Sequence, residues 1–395
     1  MNNRPDMLQI SNESRFPGTD LSQGQRWYGK IWAQLVLFKI GYFGLVLIVA
    51  AFGPGMDVQR FFGVMQHWPR EGGPTFGSHF ATWDAAHYLF LSEVGYQQGS
   101  PSCAFYPLWP MLIRAGSWVT FGNHLWSALL LANALSILGL VLIYRLVRSR
   151  YGDRTARWSV ALLLAFPGAL FLQFPYSEPL FLTLITVLWV ALARGRYDWA
   201  ALAGFFLPLT RAVGFLCGLG LLYHLIRRRR PVRDYLALAG FACGGLAYFL
   251  FMKMATGNPL EGFAAQKSWP VNSLWNIVNV PKFFNELLLV QDWHIYHGSM
   301  LDRLWFVGLA CGLPAIYRLD REAFVWTLLL GVFPAMISSF VSFTRYALMA
   351  VPVFVVIAVS FDQDSKRWVR WYLFTLFSVV HLILLVRHIN FQWAG

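Results

Sequence analysis

The stretch Leu207-Pro208-Leu209-Thr210-Arg211-Ala212-Val213-Gly214 interrupts an apolar run over residues 198–226. Proline breaks helices by removing a backbone hydrogen bond. Each arm around the interruption has only about a dozen residues, whereas a helix needs about 20 apolar residues to cross a bilayer. We interpret residues 198–226 as a bent helical hairpin. One long kinked helix is the alternative.

Apolar runs also make up the rest of the chain. Of its 395 residues, 57% are hydrophobic and 13% are charged, whereas soluble proteins carry about 25% charged residues. We expect an all-α polytopic membrane protein with about 10–11 transmembrane segments. A flexible cytoplasmic tail over residues 1–30 precedes a single catalytic membrane domain over residues 31–395. The candidate spans are residues 31–52, 124–145, 157–173, 178–194, 198–226, 234–254, 299–317, 322–341, 345–361 and 370–390.

The formal net charge of +13 is carried by short basic clusters between the apolar runs. This distribution is typical of cytoplasmic loops beside an anionic leaflet, so we expect membrane lipids and no nucleic acid as partners. None of the four cysteines belongs to a CxxC pair, which argues against a disulfide framework or a paired-cysteine zinc site. The clusters are Arg145 to Arg157, Arg194 with Arg196, Arg227 to Arg233, Arg318 with Arg321, and Lys366 to Arg370.

The hairpin matters because only a bend at Arg211 keeps every basic cluster on the cytoplasmic side. The N-terminus is then cytoplasmic, and residues 104–121 must lie at the outer interface rather than cross. Two long loops, residues 53–123 and 255–298, face outward together with the tight turns at 172–178 and 342–346. The sequence therefore predicts an active site on the face opposite the basic loops, with interfacial helices in its outer loops.

Asp84 is the leading candidate for chemistry in the first outer loop. If its segment is helical, Asp84, His87 and Tyr88 share one face. Asp84 is placed to act as a general base on a hydroxyl, with His87 bonding a phosphate or tuning the acid. A helix cap or a buried hydrogen bond is the alternative for Asp84, and local packing is the alternative for His87.

A second polar turn, Tyr176-Ser177-Glu178, opens the next span. Glu178 is interpreted as a polar ligand for a sugar or for a site cation, with capping of the following helix as the alternative. Arg211 is costly at membrane depth unless it pairs with an acid such as Asp84 or Glu178, or binds an anion.

Two further cations lie at outer edges of the membrane. Arg345 and Lys267, together with Arg211, are predicted to form a pocket for a diphosphate or phosphodiester leaving group. Snorkelling to the interface is the alternative for both. Trp269 offers a face to a sugar or an isoprene unit. His294 and His297 lack a clear third ligand, so no metal site is predicted.

The segment Ala104-Phe105-Tyr106-Pro107-Leu108-Trp109-Pro110 is expected to be a rigid interfacial element that shapes the site. Simple interface anchoring is the interpretation for Trp109.

Taken together, the motifs resemble those of the PIG-V family, also called GPI mannosyltransferase 2, and its bacterial relatives. The resemblance runs from about residue 30 to residue 365, and the motifs occur in the same order. The matching elements are Trp83-Asp84-Ala85-Ala86-His87-Tyr88, Gly95-Tyr96, Ala104 to Pro110, Tyr176-Ser177-Glu178, Thr210-Arg211, Gly257-Asn258-Pro259-Leu260, Gln266-Lys267-Ser268-Trp269 and Arg345-Tyr346.

The resemblance implies a GT-C glycosyltransferase fold and a sugar donor carried on polyprenyl phosphate at the lumenal or periplasmic side. It implies that Asp84 is catalytic. The matched residues His87, Arg211, Lys267, Arg345 and Tyr346 become expected donor contacts. The expected acceptor or sugar contacts, or their structural support, are Trp83, Tyr88, Tyr106, Tyr176, Ser177, Glu178, Gln266 and Trp269.

We therefore expect transfer of a hexose, with mannose favoured, to a hydroxyl of a lipid or glycan acceptor, with inversion. The alternatives are a transporter or flippase for a lipid-linked anion, and a protein O-mannosyltransferase or lipid A aminoarabinose-type transferase. Many GT-C relatives pair two acids in the first loop, whereas Asp84 has no adjacent partner and Glu93 is nine residues away. We expect no metal and no cofactor. The membrane would be the bacterial inner or plasma membrane, or the endoplasmic reticulum membrane if the source is eukaryotic.

Overall fold

The structure is a computed structural model that describes residues 21–64, 68–269, 273–362 and 364–395. These residues contain α-helices and short 3₁₀ turns, one π-helical turn and no strand. The α-helices are α1 (Leu21–Phe52), α2 (Val58–Val64), α3 (Asp84–Val94), α4 (Leu108–Ser117), α5 (His124–Ala165), α6 (Glu178–Ala193), α7 (Tyr197–Phe206), α8 (Val213–Arg227), α9 (Leu238–Thr256), α10 (Glu261–Ala265), α11 (Val280–Leu288), α12 (Met300–Leu319), α13 (Arg321–Thr327), α14 (Phe333–Ile337), α15 (Phe343–Ala347), α16 (Val351–Ser360) and α17 (Arg367–Ile389).

Five helices in the described part of the chain are long and apolar enough to cross a bilayer: Lys30–Phe52, His124–Ala165, Val232–Thr256, Met300–Leu319 and Arg367–Ile389. The shorter helices α6, α8 and α16 are also apolar. The remaining predicted span, residues 322–341, is covered by α13, the π-helical turn Leu328–Val332 and α14. The all-α membrane architecture predicted from the sequence is confirmed.

Two predicted spans meet within α5. Gly152 has a positive φ of 82° and a ψ of 172°, so it breaks the helix between a first arm and a second arm. The second arm ends at Ala165, and Pro167–Leu172 forms a 3₁₀ helix. The predicted span 157–173 is therefore too long at its C-terminal end, because Pro167 cannot continue the ladder of helical hydrogen bonds.

The predicted hairpin over residues 198–226 is confirmed. Helix α7 ends at Phe206 and α8 begins at Val213. The Tyr197 hydroxyl at the start of α7 lies 3.3 Å from His224 Nε2 near the end of α8. The two arms therefore run in opposite directions, and Arg211 lies at the bend.

Two other boundaries differ from the prediction. Helix α1 already begins at Leu21, inside the tail predicted for residues 1–30, while residues 1–20 of that tail lie outside the described residues. The predicted continuous span 345–361 is divided into α15 and α16 around Leu348 to Ala350. Pro352 in the first turn of α16 has no amide hydrogen to extend a helix from α15.

Helices α6, α8 and α12 show how the two ends of the molecule are related. Each begins beside one group of polar residues, near Glu178, Arg211 and Asp302, and ends at a basic cluster. With 15 to 20 residues each, they span about 22–30 Å, close to the thickness of a bilayer's hydrocarbon core.

The basic ends are held together by ion pairs, among them pairs with the buried acids Glu322 and Asp320. Arg228 Nε lies 2.7 Å from a Glu322 carboxylate oxygen, and Arg150 lies 3.6 Å from Asp320. Arg370 pairs with Asp362 at 2.9 Å. These contacts bring segments from several basic clusters to the same end of the helices, as the charge pattern predicts.

Candidate active site

Asp84 is the first residue of α3, and the chain turns sharply just before it. Trp83, the residue preceding α3, has a φ of 54°, a conformation that non-glycine residues rarely adopt. Such strain is concentrated at functional sites. Asp84 Oδ2 accepts a hydrogen bond from Arg345 Nη1 at 2.5 Å. The side chain of Asp84 therefore pairs with an arginine.

Glu178 lies at the start of α6 and is 1% exposed. Its Oε1 accepts from Arg345 Nε and lies 2.5 Å from Arg211 Nη1. Arg211 Nη1 also donates to Ser177 Oγ at 3.2 Å. Glu178 thus occupies the first turn of α6 without a side-chain capping hydrogen bond, and its carboxylate is engaged by two guanidinium groups.

Arg345 is enclosed by aromatic rings. Its guanidinium carbon lies 4.8 Å from the ring centre of Tyr176, 5.4 Å from that of Phe171 and 5.8 Å from that of Tyr346. The Arg211 guanidinium lies 5.4 Å from the same Tyr346 ring. The Arg345 side chain is 7% exposed, so snorkelling to the interface is the wrong interpretation for this residue.

Asp84, Glu178, Arg211 and Arg345 form what we call the acid–arginine cluster. Its two negative and two positive charges balance, as buried charges require. The four residues come from four separate segments of the chain. The two acids differ in side-chain exposure, which is 25% for Asp84 and 1% for Glu178. Asp84 is therefore the acid that a second molecule can reach.

Two buried tyrosines brace the cluster. The Tyr88 and Ser177 hydroxyl oxygens are 2.8 Å apart, and the Tyr176 hydroxyl donates to the Thr82 carbonyl at 2.9 Å. Burial raises the pKa of both phenols above the ordinary value. They therefore stay protonated at neutral pH and serve as hydrogen-bonding groups rather than bases.

His87 contacts Ser102, Phe105 and Trp269. Its Nδ1 lies 2.9 Å from Ser102 Oγ, and its ring stacks on Phe105 with centroids 4.6 Å apart. Trp269 meets the same His87 ring edge-on at 5.8 Å. His87 is 6% exposed, so local packing accounts for these contacts. They also place Trp269, from the second long loop, beside α3.

Three other predicted site residues lie outside the acid–arginine cluster. Tyr106 stacks on Tyr248 with ring centroids 4.9 Å apart. Gln266 Nε2 donates to the Ala104 carbonyl at 3.3 Å. Lys267 is exposed and forms no ion pair with any residue that the structure describes.

The sequence pattern predicts Trp109 at the membrane interface, and that interpretation is wrong. Its side chain is fully buried, and its indole Nε1 donates to the Pro175 carbonyl at 3.2 Å. The contact fixes the turn that leads to Glu178. Burial follows from the packing of α4 against α5 and α3, which a sequence pattern does not reveal.

Sequence reasoning missed two aromatic residues near Asp84. Trp393 lies between Trp83 and Tyr296, with ring centroids 5.1 Å and 4.9 Å away. Trp83 Nε1 also donates to the Gln392 carbonyl at 3.2 Å. We call Trp83, Tyr296 and Trp393 the aromatic wall. Burial, with Tyr346 and the Asp84 carboxylate nearby, raises the pKa of Tyr296.

No local sequence signal marks Trp393, which follows the last apolar run. Tyr296 is flanked by His294 and His297, whose side chains do not converge. His294 Nδ1 lies 3.0 Å from Ser299 Oγ, and His297 Nε2 lies 2.9 Å from Glu286.

A known family matches part of the chain, and known structures match its fold. Residues 71–226 match the family model described as Mannosyltransferase (PIG-V). This region contains Asp84, Glu178 and Arg211. No curated protein matches the chain at a significant level.

Two solved membrane proteins are similar in structure. The crystal structure of ArnT from Cupriavidus metallidurans bound to undecaprenyl phosphate is 17% identical, with a TM-score of 0.52, over 87% of this chain and 64% of that chain. The archaeal oligosaccharyltransferase AglB from Archaeoglobus fulgidus, in complex with an inhibitory peptide and a dolichol-phosphate, is 12% identical, with a TM-score of 0.48, over 94% of this chain and 56% of that chain.

This chain thus spans less than two thirds of the length of either protein. The GT-C glycosyltransferase fold expected from the sequence is confirmed. Residues 71–226 match the PIG-V mannosyltransferase family, as the ordered motifs predict, in an integral membrane chain with the GT-C fold.

Proposed function

We propose that the protein is a membrane glycosyltransferase that moves a hexose, with mannose favoured, from a polyprenyl-phosphate donor to a hydroxyl of a lipid or glycan acceptor. One observation carries the proposal. A partly exposed acid, Asp84, shares the guanidinium of Arg345 with the buried Glu178, which also binds Arg211. A base and phosphate-binding groups therefore lie side by side.

The two arginines account for the donor class. Guanidinium groups bind phosphate with charge-assisted hydrogen bonds and keep their charge when buried. ArnT, which shares the fold, is bound to undecaprenyl phosphate in its crystal structure. We propose that Arg345 and Arg211 hold the phosphate of such a carrier here, with Tyr346 between them. Lys267, which is exposed, would meet the donor only at the edge of the site.

The sugar and the side of the membrane follow from separate observations. The match to a mannosyltransferase family over residues 71–226 supports mannose as the transferred hexose. The cluster lies at the ends of α6, α8 and α12 opposite the basic clusters, so the positive-inside rule supports a periplasmic or lumenal site. The N-terminus is then cytoplasmic.

In the proposed step, Asp84 takes the proton from the acceptor hydroxyl. The hydroxyl oxygen forms a bond to the anomeric carbon while the bond from that carbon to the phosphate oxygen breaks. The departing phosphate takes the electron pair, and Arg345 and Arg211 stabilise its charge. Attack opposite the leaving group inverts the anomeric configuration. A general base of this kind contributes about 10²- to 10⁴-fold in rate.

The aromatic wall is the proposed acceptor side. Trp83 immediately precedes the proposed base in sequence, Trp393 packs against Trp83, and Tyr296 packs against Trp393. Flat rings with a few polar groups suit a sugar or lipid acceptor that must present one hydroxyl. Tyr296 has a raised pKa and is therefore a hydrogen-bonding group rather than a competing base.

We propose that the reaction needs no divalent metal. The cluster carboxylates engage arginines, and no group of three or more histidine, cysteine or acidic side chains is arranged for a metal within the described ranges. Turnover should persist in excess EDTA. Loss of turnover in EDTA with recovery on adding Mg²⁺ or Mn²⁺ would overturn this part.

Transfer of radiolabelled mannose from polyprenyl-phosphate mannose in membranes tests the proposal. Asp84→Asn should lose at least about 10²-fold in turnover while folding normally. Asp57→Asn, in the same loop and paired with the exposed Arg60, is the matched control and should retain turnover. Equal turnover in Asp84→Asn, or movement of the lipid in liposomes without glycosidic bond formation, would reject the assignment.

A further inference from the structure

The turn that carries Arg345 has an unusual backbone. Ser339, Phe340 and Ser342 have φ values of 51°, 64° and 59°. Residues other than glycine rarely adopt this left-handed conformation, which persists only where the surroundings hold it in place. Helix α15, which contains Arg345, follows directly from Ser342. The position of Arg345 therefore depends on what supports this turn.

A carboxylate from another part of the chain supplies that support. Asp302 lies in the first turn of α12 and is fully buried. Its Oδ1 accepts from both the backbone amide and the hydroxyl of Thr344, each at 2.6 Å. Thr344 immediately precedes Arg345, so these two hydrogen bonds hold the backbone next to the arginine in place. The second oxygen of Asp302, Oδ2, is buried and has no hydrogen-bond partner among the described residues.

The start of α12 is itself anchored. The Asp302 amide donates to Ser299 Oγ at 3.2 Å. Arg303 donates from Nη1 to the Ser299 carbonyl at 2.9 Å and from Nη2 to the Glu286 carbonyl at 2.8 Å. The Arg303 guanidinium also lies 5.3 Å from the Phe340 ring centre. Asp302 is therefore a fixed point to which the strained turn is tied.

We propose that Asp302 is a positioning residue for phosphate binding, acting on Arg345 through Thr344. This inference rests on the proposed function, because it takes Arg345 to be a phosphate-binding group. Asp302 and Thr344 are outside the region that matches the mannosyltransferase family model, which ends at residue 226. Their role is visible only from the contact between α12 and the turn before α15.

The dissociation constant of undecaprenyl phosphate for the full-length protein in detergent tests the inference, with native mass spectrometry as the readout. Asp302→Ala should weaken binding about 10- to 100-fold, since a hydrogen bond to a charged group is typically worth that factor when lost. Arg345→Ala should weaken it at least as much. In the double variant, Asp302→Ala should add little further loss, because residues acting through one another are not additive.

Asp320→Ala is the matched control. Asp320 is also a buried carboxylate that accepts two backbone amides, from Glu322 and Ala323, but it lies at the basic end of α12. It should destabilise the fold without changing lipid-phosphate binding by the folded fraction. Thr344→Val, which keeps the amide and loses the hydroxyl, is the milder variant if Asp302→Ala fails to fold. It should weaken binding, and Thr344→Ser should restore it.

The outcomes separate the two levels. If Arg345→Ala binds as tightly as the wild type, the phosphate assignment and this inference are both overturned. If Arg345→Ala weakens binding but Asp302→Ala and Thr344→Val do not, only the positioning role is overturned. An equal loss from Asp302→Ala in wild-type and Arg345→Ala backgrounds also overturns it, because that loss does not pass through Arg345.

Discussion

Arg345 and Glu178 are 167 residues apart in the chain, yet the Arg345 Nε donates directly to the Glu178 carboxylate. The same carboxylate oxygen binds Arg211, and Arg345 extends to Asp84. Glu178 is thus the buried centre of the acid–arginine cluster, while Asp84 is its exposed edge. This division suggests different consequences for changing the two acids.

Glu178→Gln should destabilise the protein by about 3–5 kcal/mol, because it leaves the buried Arg211 without its counterion and Arg345 with Asp84 alone. Thermal unfolding in detergent measures the effect. Glu261→Gln is the control, since Glu261 is 4% exposed but accepts from the neutral groups Gly99 N and Asn258 Nδ2. It should cost less, about 1–3 kcal/mol. Equal losses in the two variants would show that charge pairing at Glu178 is not what matters.

Gly168→Ala should reduce turnover about 10- to 100-fold. A methyl group on Gly168 would overlap the carbonyl of Thr344 and displace the turn that carries Arg345. A displacement of about 1 Å at a catalytic site costs on the order of 10²-fold. Gly312→Ala, on α12, is the control, because a methyl group there meets no neighbouring atom. Mannose transfer measured at equal folded protein decides the matter, and wild-type turnover in Gly168→Ala would contradict the prediction.

Trp393→Ala should raise the KM for the acceptor at least several-fold and leave undecaprenyl phosphate binding unchanged. The reason is that Trp393 packs on Trp83 and Tyr296 rather than on the arginines. Kinetics with varied acceptor and lipid-phosphate binding are the two measurements. Trp368→Ala, at an exposed tryptophan near the basic end of α17, is the control and should change neither quantity. Weaker lipid-phosphate binding with an unchanged acceptor KM would place the aromatic wall on the donor side instead.

Stability should fall as the pH decreases from about 6.5 to about 4. Burial, with the positive charge of Arg387 nearby, lowers the pKa of His294 to about 4, whereas an unfolded histidine has a pKa of about 6.5. Within that window the unfolded chain binds a proton that the folded protein does not, so the contribution is complete above pH 6.5 and is lost below it. The loss attributable to His294 is at most on the order of 3 kcal/mol.

His294→Gln should flatten this part of the pH dependence, because glutamine does not titrate. Thermal unfolding between pH 4.5 and 7.5 measures it. If the slopes of the wild type and the variant coincide, His294 is not responsible for the acid sensitivity. Because His294 lies in the loop that carries Tyr296, the same loss of stability should lower turnover at acidic pH.

The sequence alone predicts the membrane architecture, and it predicts that the polar residues gather at the ends of the helices opposite the basic clusters. The lengths of the apolar runs and the positions of the arginine clusters predict the helices and their direction. The free energy of moving charges and unpaired backbone groups into a bilayer depends on each segment alone, so it can be read from the sequence. The bend at Arg211 follows from the same reasoning, and the antiparallel contact of Tyr197 with His224 confirms it.

The contacts between polar residues, in contrast, are set by tertiary packing. The pairing of Asp84 with Arg345, the exclusion of Lys267 from the acid–arginine cluster, the burial of Trp109 and the approach of Trp393 to Trp83 all depend on packing between segments far apart in sequence. The support of Thr344 by Asp302 depends on it as well. Contact distances of a few ångströms are set by the packing of whole helices, and a pattern of residue types along one segment carries no information about that packing.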